Sequence, residues 1–151
     1  MKNRIIDFTA SWMGLGYAPF ASGTFGTLGA LPLILILQNY CPCIYFAFVI
    51  AFIPLAAWSA GAAEKLYNKH DSGLIVIDEV AGYMITMFML PLGAWWLLYG
   101  FFMFRAFDVL KLWPAGAIDR TWKGGWGVVL DDVFAGIYAN LALQALRLIG
   151  F

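Results

Sequence analysis

Two uncharged tracts, residues 44–63 and 80–104, leave this chain few ways to fold. A helix needs roughly 20 apolar residues to cross a bilayer, and residues 44–63 and 133–149 are each read as long enough to cross alone. A third tract, residues 133–149, is broken only by Arg147, and a fourth, residues 28–37, is apolar but short. Even about twelve helical residues there would reach only about 18 Å, so this tract needs extension from its flanks or a hairpin-like place in a bundle. The chain is 63% hydrophobic and 12% charged, whereas soluble domains carry about 25% charged residues. Its 151 residues read as one membrane-embedded domain (1–151), all-α. The expected form is a polytopic helix bundle of about four to five transmembrane or half-spanning helices with polar loops at one end.

Formal net charge is zero, which gives no sign of a nucleic-acid partner or a polybasic lipid anchor. No apolar run followed by a cleavage site opens the chain, so no signal peptide is expected. Cys41 and Cys43 in "NYCPC" lack partners for a metal site and read as loop residues.

The 25 residues of the tract 80–104 contain "MLPLGAWW", where Pro91 and Gly93 favour a turn. A single kinked crossing and a hairpin place the flanking charges differently. In the hairpin, Lys2, Arg4, Lys65, Lys69, Arg105, Lys111, Arg120 and Lys123 share one face and Arg147 alone takes the other. A single crossing divides the basic residues four against five. Cytoplasmic loops concentrate positive charge, so the hairpin is preferred. It also gathers Asp7, Glu64, Asp71, Asp78, Glu79, Asp108, Asp119, Asp131 and Asp132 on the cytoplasmic side.

Three acidic points stand where a polar segment meets an apolar one: "VIDEVAG" (Asp78, Glu79), "FRAFDVLK" (Asp108) and "VVLDDVFAG" (Asp131, Asp132). Ionisable groups at membrane depth are expensive and mark a site or a paired charge. Adjacent carboxylates repel, and a divalent cation would hold them ionised. Oxygen donors without a thiolate or imidazole partner suit Mg²⁺ or Mn²⁺ better than Zn²⁺. Each pair could instead cap a helix N-terminus. Against capping, both pairs are followed by a glycine, Gly82 and Gly136, that would let two helices approach closely and bring the acids together.

Arg105, Asp108 and Lys111 are spaced by three, which on a helix makes either an ion-pair ladder or two cations for phosphate oxygens with a carboxylate between them. The loop "GLGYAPFASGTFGTLG" brings Ser22, Gly23, Thr24, Gly26 and Thr27 to the start of an apolar helix, where backbone N–H groups could hold an anion. It lacks the Gly-Lys-Ser/Thr ending of a Walker loop. "WKGGWG" offers Lys123 as a cationic approach to Asp131, and His70 reads as a surface-loop residue. With no phosphatase cysteine loop in the chain, the chemistry would need a metal-activated water or an aspartate nucleophile, and water is preferred.

Together "GLGYAPFASGTFGT", "IVIDEVAG", "FRAFDVLKLWP" and "GGWGVVLDDVFAG" resemble the bacterial phosphatidylglycerophosphatase A family in order and spacing, over most of residues 12–140. The resemblance implies a Mg²⁺-dependent phosphatase of the bacterial inner membrane, active on the cytoplasmic side. It would convert phosphatidylglycerophosphate to phosphatidylglycerol and inorganic phosphate. The implied site takes Asp131, Asp132, Asp78 and Glu79 as catalytic residues and Glu79, Asp131, Asp78 and Asp108 as metal ligands. Thr24, Arg105 and Lys111 would bind substrate, and the residue-level reading adds Lys123 to them. Ser22 and Leu112 stand where the family usually has proline, which bears on loop stiffness rather than charge. The rival reading is a transporter whose acidic pairs coordinate a moving cation. Such sites lie near the bilayer midplane on broken helices.

Overall fold

In a computed structural model, residues 2–150 are described, apart from the side chain of Lys2, and they form helices and turns with no strand among them. In chain order these are α1 (Lys2–Ala10), a 3-10 turn (Leu15–Tyr17), α2 (Ser22–Gly29), α3 (Leu31–Leu37), α4 (Pro42–Tyr67), α5 (Ile77–Thr86), α6 (Ala94–Leu110), α7 (Ala115–Thr121) and α8 (Gly125–Leu148).

Proline in the first turn starts α4, where its missing N–H costs nothing, and Asn68 in the left-handed region stops it. α4 and α8 have the length and apolarity to cross a membrane. Of the four to five transmembrane or half-spanning helices expected, two are full-length candidates, and the other helices are shorter. α6, with 17 residues, rises about 25 Å, and α5, with 10, only about 15 Å. α2 and α3 break at Ala30. Around the outside, large apolar side chains such as Phe46, Ile50, Trp58, Trp95, Phe102 and Leu141 are exposed. Between the helices, Ala56, Ala57, Ala60, Ala63, Ala81, Ala135 and Ala139 are buried. Alanines between the helices let them approach closely, and large apolar side chains on the outside suit contact with lipid, although Tyr83, Phe104 and Met84 fill the core as well.

α5 and α6 run antiparallel, as a hairpin requires. The Tyr83 hydroxyl donates to the Leu97 carbonyl at 2.7 Å, and further along Arg105 returns to within 3.9 Å of Glu79. The turn occupies residues 87–93, where Pro91 and Gly93 placed it. Arg147 lies at the turn end, donating to the Met89 carbonyl at 3.0 Å, far from the acidic end.

So short a helix as α5 leaves its last carbonyls without partners inside the bundle. Side chains supply them. The Asn140 amide donates to the Thr86 and Phe88 carbonyls, both at 2.8 Å. Gln38 donates to Met87 at 3.1 Å, and Gln144 to Phe88 at 3.3 Å. Replacing Asn140 with Leu should therefore destabilise the fold by about 1–3 kcal/mol, since the Thr86 carbonyl loses its side-chain donor and Phe88 keeps only the longer bond from Gln144. Thermal unfolding in detergent would read this as a lowered midpoint. Asn39→Leu, at an exposed amide bonded only to the Leu35 carbonyl, should cost less than about 1 kcal/mol.

Candidate active site

Two glycines set how closely the acid-bearing helices meet. A Cβ on Gly136 would stand 2.3 Å from the Gly82 carbonyl oxygen, and one on Gly82 would stand 2.8 Å from the Asp132 carbonyl oxygen. The backbones of α5 and α8 therefore touch directly, as the paired "DEVAG" and "DDVFAG" suggested. Asp78 and Glu79 lie in the first turn of α5. Capping does not account for either pair. α8 begins at Gly125, more than a turn before Asp131, and α5 has Val76 at its cap position with no side-chain bond.

The contact brings Asp78, Glu79 and Asp132 together, each offering one oxygen, with all these atoms within 4.8 Å of one another. Asp78 is 7% exposed and Asp132 3%. Asp78 Oδ1, Glu79 Oε2 and Asp132 Oδ2 are buried without a hydrogen-bond partner. Buried carboxylate oxygens are costly unless paired. Three carboxylates that cluster and each keep an unpartnered buried oxygen make a donor set for a hard divalent cation.

Arg105 closes the cluster from α6, 2.7 Å from Asp108 and 3.9 Å from Glu79. The glycine-rich segment reaches the same place. A Cβ on Gly23 would lie 2.2 Å from Glu79 Oε1 and 3.0 Å from Arg105 Nη1, so the first turn of α2 sits directly against both side-chain ends and a larger residue there would displace them. Thr24 follows on that turn.

Lys111 departs from the expected ladder. It ends α6 with φ 45°, and this left-handed residue swings its side chain away from Arg105 and Asp108. Its ammonium instead lies 2.5 Å from Asp119 and 3.0 Å from Asp131. Burial alone would lower the lysine pKa, but the two carboxylates outweigh it and hold Lys111 above its ordinary range. Asp131 is thereby paired, and its other oxygen accepts the Asp132 amide at 3.0 Å.

Consecutive helical residues point about 100° apart, so only one of Asp131 and Asp132 can face α5. That one is Asp132. Of the four ligands expected from the sequence, Asp78 and Glu79 join the oxygen cluster, while Asp108 and Asp131 are held by Arg105 and Lys111. All of these acids and Lys111 line one cavity of about 120 Å³, with His70, Asp71, Asp119 and Trp122 at its edge. Lys123 faces a separate cavity. His70 is exposed, as expected, and contacts Glu64. Sequence reasoning passed over Asp119. Its neighbourhood to Lys111 arises only because the chain turns back through α7.

The family model of phosphatidylglycerophosphatase A matches residues 8–147. A protein of Escherichia coli named phosphatidylglycerophosphatase A is 36% identical over 126 residues, covering 82% of this chain and 73% of its own. One of the same name from Haemophilus influenzae is 32% identical over 144 residues, 94% of this chain and 88% of its own. A Bacteroides thetaiotaomicron protein whose name proposes a phosphatidylinositol-3-phosphatase is also 32% identical, over 143 residues, 89% of this chain and 88% of its own. No solved structure matches the chain.

Proposed function

The chain belongs to the phosphatidylglycerophosphatase A family, and from that membership we propose that it removes the terminal phosphate of phosphatidylglycerophosphate, leaving phosphatidylglycerol and inorganic phosphate. The observation that carries the chemistry is the set of three buried, unpartnered carboxylate oxygens on Asp78, Glu79 and Asp132 beside Arg105. Those three residues would hold Mg²⁺, which when bound neutralises charge on the phosphate and on the departing oxygen. Arg105 binds phosphate oxygens, and the first turn of α2 around Gly23 and Thr24 supplies N–H groups from the other side.

Lys111 pairs with Asp131 at the cavity wall. Asp131 takes a proton from the attacking water as the new phosphorus–oxygen bond forms. The ester bond breaks, and the glycerol oxygen leaves with the lipid and is protonated. In the bacterial inner membrane α4 and α8 cross, the α5–α6 hairpin dips in and returns, and the acids lie near the cytoplasmic rim while acyl chains stay in the bilayer. A transported-cation role finds no support in the family match or in the names of the relatives.

Purified protein should release phosphate from phosphatidylglycerophosphate with Mg²⁺, and chelation should lower the rate at least about a hundredfold. Phosphatidylinositol 3-phosphate serves as the comparison substrate, given the third relative. No release from phosphatidylglycerophosphate would refute the assignment, and faster release from the inositol lipid would move it to that substrate.

A further inference from the structure

A second cavity, of about 480 Å³, opens beside the acidic one and shares His70 with it. Its chemistry is opposite. Lys65 on the last turn of α4, Lys69 in the loop that follows and Lys123 just ahead of α8 line it, against the carboxylate of Glu64. That carboxylate is already engaged, accepting the Asp71 amide at 3.0 Å and contacting the His70 ring. Among the described residues, the three ammonium groups have neither an ion pair nor a side-chain hydrogen bond. Lys111, in the neighbouring cavity, is by contrast committed to the carboxylates of Asp119 and Asp131.

Gly124, the cap residue of α8, lines the same cavity. The N-terminal end of a long helix adds partial positive charge there. Three exposed, uncommitted cations lining one cavity make a region of positive potential open to an anion. Phosphate oxygens are strong acceptors for such groups, and lysine holds them as a point charge without demanding one orientation.

We propose that this cavity is a second phosphate subsite, independent of metal, adjoining the pocket where the monoester is cleaved. Given the proposed function, on which its ligand assignment rests, two sources share this chemistry. One is the phosphodiester that bridges the two glycerols of the lipid substrate, and the other is inorganic phosphate on its way out to water.

The test is calorimetric binding, with chelator present, of inorganic phosphate and separately of a short-chain phosphatidylglycerol, which carries the diester and no monoester. Wild type is compared with Lys65→Gln/Lys69→Gln and with the charge-retaining Lys65→Arg/Lys69→Arg. The glutamine variant should bind at least one ligand about tenfold more weakly, and the arginine variant should recover. A loss for inorganic phosphate alone identifies an exit site, and a loss for phosphatidylglycerol identifies a seat for the diester. Affinity for both unchanged in the glutamine variant, an equal loss in the arginine variant, or no binding of either by wild type overturns the proposal. Phosphatidylglycerophosphate hydrolysis is measured in parallel. A wild type that binds but does not hydrolyse would overturn the proposed function and leave the subsite standing.

Discussion

Asp132→Asn should lower phosphate release from phosphatidylglycerophosphate by at least about a hundredfold at limiting Mg²⁺, and part of that loss should return as Mg²⁺ is raised. The expectation follows from its buried unpartnered oxygen and from its place in the carboxylate cluster with Asp78 and Glu79. An amide keeps the size of the side chain and removes one negative charge from the cation seat. Asp131→Asn should behave differently. Its carboxylate faces Lys111 and the cavity, so the variant should lose about 10²–10⁴ in rate while its Mg²⁺ titration keeps the wild-type midpoint. Isothermal titration with Mg²⁺ and steady-state rates separate the two. A normal Mg²⁺ midpoint in Asp132→Asn would remove that residue from the metal site.

Gly136→Val should be the most damaging single change away from the acids. The added Cβ would stand 2.3 Å from the Gly82 carbonyl oxygen, a backbone atom that cannot rotate away. Either α5 and α8 separate or the fold absorbs strain on the order of 3 kcal/mol. Separation also pulls Asp132 from Asp78 and Glu79, so activity should fall further than the loss of folded protein explains. Gly93→Ala is the control. Its Cβ would meet nothing closer than 3.8 Å, and the unfolding midpoint should stay near wild type. A folded Gly136→Val protein with wild-type turnover would show that this contact does not set the acid cluster.

The helical class and the hairpin were legible because both are written in local signals: uncharged tracts, Pro91 with Gly93, and the lopsided basic residues. The acidic partners were legible too, since matching "DEVAG" and "DDVFAG" pair two glycines with two sets of acids. What could not be read was rotation. Nothing in "LDDV" says which aspartate faces α5, because that depends on where α8 begins, and the glycines at 124 and 125 start it earlier than the apolar tract alone implies. Lys111 was misplaced for a related reason: three-residue spacing extrapolates a helix that in fact ends at Leu110. Which of the apolar tracts make full-length helices was not legible either, because apolarity reports burial in lipid or protein without reporting helix length.

The polar side chains beneath α5 carry a consequence for the chemistry above them. Asn140, Gln144 and Arg147 tie the far end of the hairpin to α8, and Asp132 stands on that same α8. Asp78 and Glu79 sit one short helix above those ties, about 15 Å away by helical rise. The far face of the bundle thus serves as the datum from which the depth of the carboxylates is measured. Two residues of one cluster are levelled against the third by amides that never touch the phosphate.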